Sequence, residues 1–78
     1  MPRYFFHIEG PDGRQVDDEG GELPDLMAAR QYAMGTARQI LSQTVLTGGA
    51  PNGRRVIVTN EQGHAILEVP FKEAMGNP

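Results

Sequence analysis

Alternating apolar and polar residues at the start of the chain predict a β-hairpin. In residues 3–9 (RYFFHIE), every second residue from Tyr4 onward is aromatic or aliphatic, which is typical of a strand with one buried face. The turn-forming residues 10–13 (GPDG) follow, and residues 14–18 (RQVDD) are predicted to return as a second, short strand. The chain is therefore expected to begin with two antiparallel strands.

A spacing of three and four residues between small or apolar side chains predicts one helix after the glycine pair at 20–21. Asp25 precedes the first apolar position, so we expect its carboxylate to accept backbone N–H bonds and cap the helix. The helix is expected to end near Leu46, before the glycine-rich loop at 48–53. The predicted buried stripe is Leu26, Ala29, Ala33, Thr36 or Ala37, Ile40 and Thr44.

A second hairpin is predicted in the last third of the chain. Residues 54–60 (RRVIVTN) and 64–71 (HAILEVPF) have strand composition, and residues 61–63 form a tight connection between them. Residues 72–78 are expected to be a short terminal turn or a frayed tail. The predicted fold is one α+β domain spanning residues 1–78, in two layers with the order β-β-α-β-β. A four-stranded antiparallel sheet carries one helix on one face, and the order of the strands in the sheet stays open.

A single helix covers only one face of a sheet, so the strand residues divide into a core set and an outward set. The outward set contains Phe5, Ile57 and Ile66, and apolar residues clustered on adjacent strands mark an interaction surface. These three residues are the predicted protein interface. Exposed strand edges offer a second route to association. The predicted core consists of Tyr4, Phe6, Ile8, Val56, Val58, Leu67, Val69 and Phe71.

Length and composition narrow the classes of function. A chain of 78 residues buries only about 60–65% of its unfolded surface, so additional burial by self-association or by a partner is expected. The net charge of −3 disfavours nucleic-acid binding, which relies on basic surfaces. The absence of cysteine excludes disulfides, thiolate zinc sites and thiol nucleophiles. With no long apolar run and no signal-peptide pattern, we expect a cytoplasmic protein without membrane contact.

No pattern of acidic, histidine or serine residues in the chain indicates an enzyme or a cofactor site. The acidic residues between 17 and 25 do not have the spacing of a calcium-binding loop. His7 and His64 lack a third ligand at metal-binding spacing and are interpreted as surface groups. The lone serine, Ser42, has no nucleophile motif around it. We therefore expect no catalytic residue, no metal and no cofactor.

Three arginines leave an alternative function open. Arg3, Arg54 and Arg55 could line a basic edge of the sheet and contact nucleic acid. In that interpretation the protein is a regulatory binder of nucleic acid or of a toxin-like protein, as small antitoxins are. That analogy rests on the fold alone.

Several short motifs together resemble a known family. They are the opening PRYFF (2–6), DEG (18–20), ELPDL (22–26), AAR (28–30), GRR (53–55) and VPF (69–71). With them the chain resembles a family of short uncharacterised proteins common in rhizobia and related alphaproteobacteria. The resemblance covers nearly the whole chain and implies a bacterial cytoplasmic domain, with no activity, cofactor or partner attached. The family usually has an acidic residue where this chain has His7, so a role of that carboxylate would not carry over.

These observations lead to one functional hypothesis. The protein is expected to be a non-enzymatic interaction module that binds itself, most simply as a homodimer, or another protein. Contact is expected through the uncovered sheet face or an edge strand.

Overall fold

The fold is an antiparallel sheet with one main helix packed against it, which confirms the α+β class predicted from the pattern. The computed structural model describes residues 1–11, 13–46 and 53–74, and of residues 44–46 it describes the backbone only. The elements in chain order are β1 (Arg3–Gly10), β2 (Gly13–Gln15), β3 (Gly21–Glu22), α1 (Leu26–Leu46), β4 (Arg55–Thr59), β5 (Ala65–Pro70) and α2 (Phe71–Ala74).

The two hairpins meet through β1 and β4, which form the centre of the sheet. The strand order is β2-β1-β4-β5, and β1 pairs antiparallel with β4 from Phe5 opposite Thr59 to Glu9 opposite Arg55. β2 and the two-residue β3 share the other edge of β1. The sequence left this order open because strand patterns do not encode which hairpins meet.

The predicted second strand is shorter than its composition indicated. β2 ends at Gln15, whereas the prediction extended it to residue 18. Val16 is exposed, and Asp17 turns back toward β1 instead of continuing the ladder. The predicted turn at 10–13 includes residue 12, which lies outside the described residues, as does most of the predicted loop at 48–53.

The last strand also ends earlier than predicted. β5 stops at Pro70, which lacks an N–H for the ladder, and Phe71 begins the short helix α2. The backbone N–H of Phe71 donates to the carbonyl oxygen of Arg54 at 3.0 Å, which holds α2 against the start of β4. Phe71 is fully buried, as its assignment to the core predicted. Residues 75–78 of the predicted tail lie outside the described residues.

The helix α1 begins as its sequence predicted, but its buried stripe differs in part from the prediction: Leu26 is 45% exposed, and Leu41, which was not placed on the stripe, is buried. The Asp25 carboxylate accepts a hydrogen bond from the N–H of Ala28 at 2.9 Å and so caps the first turn. Ala29, Ala33 and Ala37 are completely buried, because small side chains let the helix lie close to the sheet. The predicted core is confirmed, with Ile8 and Leu67 only partly buried; the buried apolar cluster comprises Tyr4, Phe6, Ala29, Ala33, Ala37, Leu41, Val56, Val58, Val69, Phe71 and Ala74.

The helix does not cover its side of the sheet evenly. α1 packs mainly over β4, β5 and α2. Toward β1 it reaches through Tyr32, whose ring centroid lies 4.7 Å from that of Phe6. Tyr4 and Phe6 of β1 are buried, and the helix-side face keeps an open surface from Ile8 toward β2. Within the described part of the chain, neither helix combines the length and apolar content needed to cross a membrane.

Candidate functional site

The sheet face opposite α1 carries every residue of the predicted protein interface. We call it the outer face. Strand register and alternation place on it Arg3, Phe5, His7, Glu9, Arg55, Ile57, Thr59, Ile66 and Glu68. Ile66 is the extra residue of a bulge, since Thr59 pairs with Ala65 while Val58 pairs with Leu67.

The three predicted interface residues share this face but differ in exposure. Ile66 is 36% exposed. Phe5 is half-buried, with its ring against Gly20 and stacked near the ring of His7 at a centroid distance of 6.5 Å. Ile57 is only 8% exposed, between its cross-strand neighbours His7 and Glu68. The apolar area that the outer face offers is therefore small and divided.

Ion pairs occupy the other end of the outer face. The Arg55 guanidinium lies between two carboxylates, bonding Glu9 on β1 and reaching Glu68 on β5 at 2.9 Å. Arg14 approaches Glu9 at 3.9 Å. Because these groups are partly exposed, each pair contributes little stability, but together they neutralise the cations of this surface.

The three arginines of the predicted nucleic-acid contact do not form one patch. Arg3 pairs with Glu22 at 3.6 Å and donates to the carbonyl oxygen of Glu19 at 2.9 Å, at one end of the sheet. Arg55 lies at the other end within its ion pairs. Arg54 lies on the helix side, where its Cγ occupies the space that a side chain at Gly10 would need. The structure therefore separates these residues by face and by position.

A polar network that sequence reasoning missed centres on Asp17. One carboxylate oxygen accepts the N–H of Phe6 at 3.0 Å, at the edge of β1 between its partners β2 and β3. The other accepts the N–H groups of Glu19 at 3.3 Å and Gly20 at 3.2 Å. Asp17 thus replaces a missing ladder partner and closes the turn that follows. The signal in the sequence is an Asp three residues before a Gly, which favours an Asx turn.

Hydrogen bonds to the Asp17 carboxylate also set its charge. Burial by itself would raise the pKa of Asp17. The N–H groups of Phe6, Gly20 and Glu19, together with nearby His7, outweigh burial and lower the pKa from its usual value near 3.8. Asp17 therefore remains an anion throughout the physiological range.

His7 was interpreted from the sequence as a surface group, but it is only 8% exposed, because it hydrogen-bonds across the sheet and connects this network. Its Nδ1 accepts the backbone N–H of Asp17 at 3.1 Å, so the ring proton resides on Nε2. Nε2 then donates to Oγ1 of Thr59 at 3.0 Å. Burial lowers the pKa of His7 from its usual 6.5, Arg14 lowers it further, and the Asp17 carboxylate opposes both. His7 is therefore neutral, and its hydrogen bond to Thr59 links β1 to β4.

The order Asp–His–Thr resembles a catalytic triad, but the proton of the histidine ring is on the nitrogen that faces the threonine. A general base must present an unprotonated nitrogen to the hydroxyl that it activates. Here the nitrogen facing Thr59 carries the proton, and Asp17 reaches the ring through its backbone N–H instead of its carboxylate. In this arrangement His7 cannot remove a proton from Thr59.

We expect the free energy of unfolding to fall as the pH drops from 7.5 to 5.5. Folded His7 resists protonation, whereas the histidine of the unfolded chain gains a proton below about 6.5. The stabilisation is therefore complete above that value and is lost as the pH falls toward the lowered pKa of the folded state. Asp17 makes the free energy of unfolding depend on pH only below about pH 3.8, so it does not contribute to the change between pH 7.5 and 5.5.

Urea unfolding at the two pH values measures this effect. A His7→Gln variant should lose most of the difference, while His64→Gln, at an exposed turn, should keep it. Equal pH dependence in both variants would contradict the role given to His7.

The open half of the helix-side face forms a groove between α1 and the strands β1 and β2. Two depressions of about 490 and 320 Å³ make it up, and they share Ile8, Gln15 and Ile40 as lining residues. Near the second depression Tyr32 is 56% exposed and Val16 is 64% exposed. We call this surface the lateral groove; its further lining residues are Phe6, Gly10, Gly13, Arg14, Asp17, Asp18, Thr36, Gln43 and Arg54.

Three of the acidic residues before α1 have separate structural roles. Asp17 binds backbone N–H groups, Glu22 pairs with Arg3, and Asp25 caps the helix. Among the described residues, no three histidine, aspartate or glutamate side chains come close enough to hold a metal ion.

Fold and surfaces together define a small two-layer α+β domain in which one helix leaves an outer face and a lateral groove uncovered. The chain belongs to the family described as Domain of unknown function (DUF6894), which matches residues 3–72. No curated protein and no solved structure matches the chain.

Proposed function

We propose that this protein is a non-enzymatic interaction module that self-associates into a homodimer. The lateral groove carries the proposal, because α1 packs over only part of its side of the sheet. Tyr32 and Val16 are large side chains left more than half exposed beside Ile8 and Ile40. Burying them against another chain would release water from apolar surface, which drives most protein association.

The size of the domain supports the same proposal. A chain of 78 residues buries a smaller share of its surface than a larger domain does, so its stability is marginal. A second chain on the groove would extend the core along Phe6, Ile8 and Ile40, which already line it. Association would then raise the stability of the folded chain with its concentration.

The outer face supports association less strongly than the groove. Ile57 is already covered by its neighbours, and Arg55, Glu9 and Glu68 satisfy one another's charges. Ile66 is the large apolar side chain that remains exposed there. We therefore keep Phe5, Ile57 and Ile66 as an alternative contact surface with less support than the groove.

The alternative of a nucleic-acid binder or an antitoxin-like subunit has less support. Phosphates would have to displace Glu22 from Arg3 and both Glu9 and Glu68 from Arg55. Nucleic acid would also approach a chain with a net charge of −3.

The hydrogen bond between His7 and Thr59 supports a non-enzymatic role, because the His7 nitrogen that faces the Thr59 hydroxyl already carries a proton. We further propose a bacterial cytoplasmic setting, in keeping with a cysteine-free chain.

A dilution series tests the proposed function. The solution mass, measured by light scattering or sedimentation from micromolar to millimolar concentration, is expected to rise toward twice the 8.5 kDa of one chain. Tyr32→Glu should hold the mass near that of one chain, and Ile66→Glu on the outer face should leave the rise in place. A wild-type mass that stays at one chain throughout would overturn the proposal.

A further inference from the structure

Both ring nitrogens of His7 already take part in hydrogen bonds inside the fold. Nδ1 accepts the backbone N–H of Asp17 at 3.1 Å, and Nε2 donates to Oγ1 of Thr59 at 3.0 Å. The residue is only 8% exposed, so water takes little part in these contacts. A second ring proton therefore has to be added at Nδ1, the nitrogen that faces Asp17.

A proton on Nδ1 is incompatible with the present position of Asp17. The ring would direct an N–H at the backbone N–H of Asp17, and two donors do not form a hydrogen bond with each other. The same residue also carries an acceptor, because its ionised carboxylate bonds the N–H of Phe6 at 3.0 Å. A positively charged imidazole attracts this carboxylate more strongly than a neutral backbone N–H does. Protonation of His7 therefore favours a different arrangement of the same two residues.

We propose that protonation of His7 exchanges the hydrogen bonds of Asp17 and so opens the edge of β1. The backbone N–H of Asp17 leaves Nδ1, the Asp17 carboxylate turns to the new Nδ1–H, and the N–H of Phe6 loses its acceptor. The added proton comes from solvent, and Nε2 keeps both its proton and its bond to Thr59. His7 is thereby a pH-sensitive switch for the turn formed by residues 16–20, which we call the Asp17 turn.

The position of the Asp17 turn in the fold allows this change without unfolding of the sheet. Val16, Asp18 and Glu19 are exposed, and the turn is flanked by strands of only three and two residues. The ladders between β1, β4 and β5 contain no residue of the turn. Short edge elements of this kind open at a lower free energy than the core does. The change is therefore confined to the edge of β1.

The charges around His7 place the exchange in mildly acidic solution. Burial lowers the pKa of His7 from its usual 6.5, Arg14 on β2 lowers it further, and the Asp17 carboxylate raises it. The other charged groups on the elements around the ring are Glu9, Asp18, Glu19 and Arg55. Glu9 pairs with both Arg55 and Arg14, so these three groups partly cancel one another's effect. Asp17 is still ionised where His7 gains its proton, because the pKa of Asp17 is lowered from its usual 3.8.

Amide NMR spectra of a dilute sample, recorded from about pH 7.5 to about pH 4.5, test the proposal. The ring signals of His7 report its protonation, and hydrogen exchange reports the hydrogen bond of the Phe6 N–H. As the ring is protonated, we expect the protection of Phe6, corrected for the intrinsic effect of pH on exchange, to fall about tenfold, as the loss of one hydrogen bond implies. The amide signals of Asp17 and Gly20 should shift with the same midpoint, while the backbone of β4 keeps its protection.

Three variants identify the groups responsible. His7→Gln has no titrating ring, so the protection of Phe6 should no longer depend on pH. His64→Gln, which removes the exposed histidine before β5, should behave like the wild type. Asp17→Asn removes the anion that attracts the protonated ring, so the midpoint of the His7 titration should move to lower pH.

Two results would overturn the proposal. One is a His7 ring that titrates while the protection of Phe6 stays constant. The other is a ring that gains its proton only as the whole sheet unfolds, so that β4 loses its protection at the same pH as Phe6. Neither result bears on self-association, which the dilution series tests at constant pH.

Discussion

Replacing Gly20 by alanine is expected to lower the free energy of unfolding by about 2–5 kcal/mol, the sum of a left-handed backbone and an overpacked contact. Gly20 has a φ of +69°, and a Cβ there would lie 2.6 Å from the carbonyl oxygen of Tyr4 and 2.8 Å from the Phe5 ring. The backbone has little freedom to yield, since Gly21 pairs directly with Tyr4. Urea unfolding of the variant measures the loss.

Gly63 is the matched control for this prediction. Its φ is +83°, but a Cβ at that position would meet nothing within 4 Å. Gly63→Ala should therefore cost only the backbone part, about 1–2 kcal/mol. Equal losses in the two variants would mean that the close approach of the Gly20 turn to Phe5 has no energetic weight.

Asp17→Ala is expected to destabilise the protein by about 2–4 kcal/mol, because charge-assisted hydrogen bonds are lost and a part-buried donor is left unpaired. Three backbone N–H groups lose their acceptor, and the N–H of Phe6 belongs to a central strand. The turn that holds Gly20 against Phe5 would loosen at the same time. Thermal or urea unfolding measures the change.

Two variants define the origin of that loss. Asp18→Ala removes a neighbouring exposed carboxylate and should change stability by less than about 0.5 kcal/mol. Asp17→Asn keeps a carbonyl oxygen as acceptor but removes the charge, so its loss should fall between the two. If Asp17→Ala were as mild as Asp18→Ala, the network would not anchor the turn.

Much of the fold could be predicted from local patterns. Alternation located β1 and its buried face, strand composition located β4, and the spacing of Ala29, Ala33 and Ala37 located the buried side of α1. The cap at Asp25 followed from the preference of the first helical turn for an oxygen acceptor. These features depend on residues close together in the chain.

The structure differs from the prediction where residues that are far apart in the sequence are in contact. β2 stops early because Asp17 bonds Phe6, eleven positions before it in the chain. Ile57 is on the predicted face but buried, because His7 and Glu68 flank it from two other strands. No local pattern encodes these contacts.

The lateral groove could not be predicted for the same reason. It exists because α1 packs mainly over β4, β5 and α2 and not over β2. From the strand pattern, contact was expected on the opposite face of the sheet or at an edge strand. Strand order and helix position together decide where apolar surface remains.

Amide NMR spectra recorded along the same dilution series identify the residues that form the contact between chains. We expect the concentration-dependent shifts to concentrate at the lateral groove, near Gln15, Val16, Tyr32 and Ile40, while Ile66 stays unchanged. Shifts confined to the outer face, or spectra identical at all concentrations, would contradict the account.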